Sequence, residues 1–134
     1  MPAVLDVKDE STSGTIHRRF TLQFPTENIT VRELIRERVY QEVDDYNRKS
    51  SEGGGVFQGL IQPTDAEVAL NGFKLKKRRQ IDWKPQYEKA CDAYTKNQIL
   101  ILAGDRQTSS LDETIQITRG TEVTFLRLVM LVGG

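Results

Sequence analysis

The sequence is short of the residues from which most reactive sites are built. Its 134 residues include one cysteine, Cys91, and one histidine, His17. A single cysteine excludes an internal disulfide and suits a reducing compartment, and one cysteine with one histidine cannot furnish a typical zinc site. Charge of one sign is not in excess either. Acidic and basic residues balance at 19 each, so no net field draws the chain toward nucleic acid or an anionic membrane surface. No run approaches the roughly 20 apolar residues of a membrane span, and Met1-Pro2-Ala3-Val4 lacks a basic region followed by an apolar segment. The expectation is a cytoplasmic, metal-free protein without nucleic-acid or membrane partners. Its length suits one domain able to bury a core without disulfides or metals.

Ala3 to Lys8 is a short apolar run, Asp9 to Gly14 is dense in turn formers, and Phe20, Leu22 and Phe24 alternate with Thr21 and Gln23. This pattern predicts a hairpin ended by Pro25. Thr30 with Glu33 three positions on predicts a capping box, each side chain satisfying the other residue's backbone N–H, and a helix from about Val31. Val31, Leu34, Ile35, Val39, Val43 and Tyr46 recur at helical spacing with charges between them. That spacing predicts a packed face and a solvated face to about Arg48. Ser50 to Gly55 reads as a flexible link.

Val68-Ala69-Leu70 and Phe73-Lys74-Leu75 flank Asn71-Gly72, a dipeptide suited to a type I′ turn, so a second hairpin is predicted. Asp82 can cap a helix carrying Trp83, Tyr87, Ala90, Cys91 and Tyr94 along one side and stopping at Lys96-Asn97. A strand over Ile99 to Leu102, a turn at Ala103-Gly104-Asp105, one helical turn over Ser110 to Glu113 and a last apolar strand over Thr121 to Val132 complete the reading. In that strand Val123 and Phe125 should face inward, and Gly120 should supply positive φ before it.

Two strands, a helix and later strands closing on the first predict an α+β domain of β-grasp type, a mixed sheet wrapped around one long helix, with an inserted hairpin and second helix over 49–97. Leu100-Ile101-Leu102-Ala103-Gly104, then Leu111, then Gly120-Thr121-Glu122-Val123-Thr124-Phe125, then Gly133-Gly134, resembles the C-terminal half of ubiquitin. Phe20 to Pro25 followed by Thr30-Val31-Arg32-Glu33-Leu34 resembles its second strand leading into its helix. Arg119-Gly120-x-x-Val123-x-Phe125 with a diglycine is also similar to the sulfur carriers of thiamine and molybdopterin synthesis. The resemblance covers roughly 1–48 and 98–134.

The resemblance implies a protein substrate rather than an enzyme, with no catalytic residues and no bound cofactor. Its reactive group would be the Gly134 carboxylate, on an arm formed by Leu131, Val132, Gly133 and Gly134. A partner adenylating enzyme would activate it with ATP and magnesium. As a modifier, the acyl group would pass as a thioester to a conjugating enzyme and then into an isopeptide bond on target proteins, to be removed by a deconjugating peptidase. As a sulfur carrier, it would become a thiocarboxylate. A third reading is a noncovalent interaction module whose glycines are incidental. Leu128 to Val132 is wholly apolar where ubiquitin carries arginines, which implies an apolar groove in the activating enzyme.

Ile101 and Leu126 fall where the family has an exposed hydrophobic patch, and with Leu128 they are the candidate partner surface; in the alternative, the inserted segment folds over this face and buries them. Lys74, Lys76, Lys77, Arg78 and Arg79 form the one dense basic run, expected to be a solvated loop. Cys91 is expected to be a packed helix residue, and Glu33 and Glu37 solvated charges.

Overall fold

The computed structural model describes residues 2–50, 56–69, 72–76 and 79–128. In chain order the elements are β1 (Ala3–Ser11), β2 (Ile16–Phe24), β3 (Asn28–Thr30), α1 (Val31–Ser50), β4 (Ala66–Ala69), β5 (Gly72–Leu75), α2 (Trp83–Thr95), β6 (Ile99–Ala103), β7 (Arg106–Gln107), β8 (Thr114–Gln116) and β9 (Glu122–Arg127). This is a mixed α+β arrangement with two helices. Two compact units form, 2–34 with 93–128 and 35–92. The division falls inside both helices.

The first unit holds a five-stranded mixed sheet in the order β2-β1-β9-β6-β7. β1 pairs antiparallel with β2 and parallel with β9, and β9 pairs antiparallel with β6. Alternation sets the faces: Ala3, Leu5 and Val7 of β1, Val123 and Phe125 of β9, and Ile99 and Ile101 of β6 are all buried. The first hairpin is longer than its composition suggests. Strand pairing runs through Asp9 and Glu10 to Ser11, and only 12–15 turn, closed by Ser11 N–H to Thr15 O and Gly14 N–H to Ser11 O, both 3.0 Å, with Gly14 at φ 83. The turn formers Asp9 to Ser11 are strand residues because β9 pairs with them as well.

The helix starts where expected. Glu33 N–H donates to Thr30 Oγ1 at 3.1 Å, but the Thr30 hydroxyl donates in turn to Glu33 Oε1 at 3.2 Å, so the carboxylate accepts from the hydroxyl instead of from the Thr30 backbone N–H of the expected reciprocal box. The loop over 111–113 supplies further caps. Val31 N–H donates to Glu113 O at 3.0 Å and Arg32 N–H to Leu111 O at 2.9 Å, satisfying amides that a helix start leaves unpaired. The expected helical turn at Ser110 is a single hydrogen-bonded turn, Glu113 N–H to Ser110 O, ahead of β8, which pairs with β3. Gly120 has φ +88 before β9, as its position predicts.

In the second unit the rest of α1 buries Ile35, Val39, Val43 and Tyr46, the expected stripe. The irregular segments are held by side chains bonding to backbone. Leu60 N–H donates to Glu42, Ile81 N–H to Asn47 Oδ1 with Asn47 Nδ2 returning to Ile81 O, and Gln86 Nε2 to Ile61 O. The β4–β5 hairpin is shifted by one residue from the expected turn. Gly72 pairs with Ala69, so Leu70 and Asn71, outside the described residues, connect the strands. Gly72 is required for another reason: at φ +149, a Cβ there would stand 2.5 Å from Phe57 O, blocking the paired bonds between Phe57 and Phe73.

α2 begins at the predicted cap, with Lys84 N–H donating to Asp82 Oδ1 at 3.2 Å. In the first unit its C-terminus closes as a Schellman motif. Asn97 sits at φ 59, Asn97 N–H reaches Tyr94 O and Gln98 N–H reaches Ala93 O at 2.9 Å.

Candidate partner interface

Strand register decides which side chains reach solvent from the five-stranded sheet. Ile101 opposes Phe125, and both are fully buried. Directly paired residues on antiparallel strands share a face, so Ile101 belongs to the core and is not part of an exposed patch. This corrects its expected role. The next pairs along, Leu100 with Leu126 and Leu102 with Thr124, lie on the opposite face, where all three leucines are half-buried. Leu126 therefore lies on the outer face, opposite Leu100. Leu128 is exposed, and its N–H donates to Gln98 O at 3.0 Å, which extends the sheet's bonding one residue past β9.

This outer face continues onto β1, where Lys8 is registered with Thr124 and Glu10 with Leu126. Lys8 also opposes Arg19 of β2, a like-charge pair that would repel. Glu122 resolves it: Oε1 lies 3.2 Å from Lys8 Nζ and Oε2 3.1 Å from Arg19 Nη1. The result is a leucine cluster on β6 and β9 beside a charge-balanced flank on β1 and β2. Apolar side chains rimmed by charge are the kind of surface that protein–protein contacts use.

The end of β9 holds a feature that composition does not reveal. Asp9, buried on the inner face, lies 3.5 Å from Arg127 Nη2 through its Oδ2, which offsets part of the cost of taking a carboxylate out of water. Beyond it, Leu131, Val132, Gly133 and Gly134, the expected activation arm, fall outside the described residues.

No protein-family model, curated protein or solved structure matches the chain.

The remaining candidates lie on other elements. His17 is exposed on β2 in the first unit and Cys91 half-buried on α2 in the second. Among the described residues no group of three or more His, Cys, Asp or Glu is placed to hold a metal ion, and no helix is long and apolar enough to cross a membrane. In the basic run, Lys74 and Lys76 are exposed, while Arg79 is bidentate on Asp65 at 2.9 and 2.5 Å, a partner the sequence gives no reason to choose. The Arg79 hydrogen bond holds the Asp65 carboxyl below its ordinary range. Lys77 and Arg78 lie outside the described residues.

Two features of the second unit were not foreseen. Arg38 and Glu42, expected among solvated charges, form a buried pair, Arg38 Nε donating to Glu42 Oε1 at 2.7 Å. Their signal is their spacing, since both fall within the apolar stripe of α1 rather than opposite it. Trp83 and Tyr87 do not pack away fully; Tyr40, itself exposed, meets Trp83 edge-on at 5.7 Å, and Arg36 lies over the Trp83 ring at 5.9 Å. Cys91, half-buried, is close to its expected packed role, and Glu33 is exposed while Glu37 is half-buried.

Proposed function

We propose that this chain is a ubiquitin-like β-grasp modifier, activated at the Gly134 carboxylate by a partner adenylating enzyme and conjugated to other proteins. The observation that supports this reading most is the placement of β9. The final strand lies between β1, to which it is parallel, and β6, to which it is antiparallel, with the first hairpin leading into α1. In this order the strand that precedes Gly133-Gly134 in the sequence is the central strand of the sheet, paired on both sides. The reading holds whether Gly134 is the translated terminus or is exposed by processing.

Carboxylate is a poor electrophile. On the partner enzyme, attack of the Gly134 carboxylate on the α-phosphate of ATP would displace pyrophosphate and give an acyl adenylate. A cysteine thiolate of the enzyme would then displace AMP to form a thioester, and a target lysine would displace the thiol to form an isopeptide bond. This chain's own contribution is the arm and the outer sheet face, whose Leu100, Leu126 and Leu128 offer a docking surface for those enzymes. ATP and magnesium belong to the partner. The apolar segment Leu128 to Val132 favours a second reading, the sulfur carrier, in which sulfide-derived sulfur displaces AMP.

The test is to express the chain with an N-terminal tag in its native host, with and without Gly134, and to identify by mass spectrometry what is joined to its C-terminus. Isopeptide adducts that vanish without Gly134 are the expected result. A thiocarboxylate on free protein would assign the carrier chemistry instead. A free acid under all growth and stress conditions would sink both and leave a noncovalent module acting through the sheet face.

A further inference from the structure

The second unit carries a row of aromatic side chains with no part in the sheet face or the C-terminal arm. Arg36 and Tyr40 stand one turn apart on α1, and Trp83 and Tyr87 one turn apart on α2. Tyr40 keeps 46% of its surface in solvent, Arg36 is exposed, and Trp83 and Tyr87 are half-buried. Ring centroids lie 5.7 Å apart for Tyr40 and Trp83 and 6.0 Å apart for Trp83 and Tyr87. Trp, Tyr and Arg are the residue types that carry most binding energy where proteins meet, because they offer a large rigid area and a polar edge together.

Orientation and charge narrow what the row fits. The ring planes cross at 82° and 52°, which makes ridges and notches rather than the flat platform on which a nucleobase stacks. Spacing near 6 Å matches the advance of two residues in a polyproline II segment, about 6.2 Å. Such segments dock on aromatic-lined surfaces at little entropic cost, since their extended form already exists in the free chain. Arg36 lies over the Trp83 ring at 5.9 Å, and the exposed Lys84 follows Trp83 on α2. Among the described residues neither cation forms an ion pair, and Asp44, one turn beyond Tyr40, is held by Arg48 at 3.0 Å. Glu37 and Glu88 on the same helices limit the positive field but pair with neither cation. A carboxylate beside the prolines would therefore meet two uncommitted positive charges.

A second copy of the chain fits less well. Aromatic side chains bury about 150–250 Å² each when fully covered, and these three are already partly covered, so the row falls short of the roughly 800 Å² per partner that a stable dimer needs.

We propose that Tyr40, Trp83 and Tyr87 receive an extended, proline-containing acidic segment of another protein, whose carboxylates pair with Arg36 and Lys84. Proline rings seat in the notches between the aromatic rings, and the contact forms whether or not Gly134 is conjugated.

Trp83 is the one tryptophan of the chain, so its fluorescence reads the row directly. The full chain is titrated at low salt with an end-capped peptide that alternates Pro-Pro with Glu, and two-dimensional NMR provides a second readout. The expected result is a saturable change in Trp83 emission, with NMR shifts confined to the residues around Tyr40, Trp83 and Tyr87. Tyr40→Ala, at an exposed position, should keep the native circular dichroism and weaken binding about fivefold or more. Arg36→Gln should weaken binding of the Glu peptide and leave a Gln-for-Glu peptide unaffected, and a Gly-for-Pro peptide should not bind. No saturation up to about 1 mM peptide, equal binding of the Gly-for-Pro or a Lys-for-Glu peptide, or no effect of Tyr40→Ala would each overturn the proposal. So would a stronger Trp83 response to a single-stranded oligonucleotide, or self-association of the native chain that covers Trp83 without peptide.

Discussion

Arg38 and Glu42 face each other one helical turn apart on α1 with the guanidinium Nε 2.7 Å from the carboxylate, both side chains almost wholly out of water. The carboxylate also receives the Leu60 N–H at 3.1 Å, so it links the helix to an irregular segment of the same unit. Removing one member of a buried pair leaves the other charged without compensation, at about 3–5 kcal/mol. Glu42→Ala should cost in that range in a denaturant titration. Arg38→Met with Glu42→Leu should cost less than Glu42→Ala, because no buried charge is then left uncompensated even though the Leu60 N–H loses its acceptor. A double variant as unstable as the single would show that lost hydrogen bonds, rather than the uncompensated charge, carry the effect.

Ile101 and Leu128 were expected to share one surface and should behave oppositely. Ile101→Ala removes a fully buried core side chain and should destabilise the fold by about 2–5 kcal/mol. Leu128→Ala, at an exposed position, should change stability by no more than about 0.5 kcal/mol. Leu126→Glu should abolish association through the outer sheet face while leaving the circular dichroism of the native state unaltered. Equal stability loss at 101 and 128 would contradict the register given for β6 and β9.

Glycine substitutions separate backbone freedom from close packing. Gly104→Ala has nothing within 4 Å of the new Cβ and suffers only its positive φ of 62, about 1–2 kcal/mol. Gly72→Ala adds a clash with the Phe57 carbonyl and should cost more than Gly104→Ala by thermal or chemical unfolding, with exchange of the Phe57 and Phe73 amides accelerated.

Stability should fall at both ends of the pH range for different reasons. Hydrogen bonding from the Ser109 N–H, with Arg106 assisting, holds the Glu113 carboxyl below the ordinary carboxylate value. Its contribution is therefore present above the unfolded-state pKa and is lost as pH falls through the depressed folded-state value. Burial pushes the Tyr94 phenol up, against a smaller opposing effect of its hydrogen bond with Thr108. That contribution is present below the unfolded-state pKa and is lost as pH rises through the raised value. Glu113→Gln should flatten the acid limb of a stability profile and Tyr94→Phe the alkaline limb. An unchanged limb in either variant would assign that transition to other groups.

Local chemistry by itself determined a good deal of this protein. The Thr30 and Asp82 helix starts, the Asn97 stop, the apolar stripe of α1 and the inward pair Val123 and Phe125 all follow from interactions within a few residues, where propensity, capping and periodicity act directly. Tertiary structure decided what depends on partners distant in sequence. Asp9 became a buried strand residue because β9 pairs beside it, and Ile101 turned inward because a one-residue choice of register exchanges the two faces of a strand. Arg38 and Glu42 could enter the core because each supplies what the other needs there, and Gly72 is fixed by the approach of Phe57 rather than by its turn. Pairing register and the burial of charge are set by free energies shared between separate segments, and no single segment carries them.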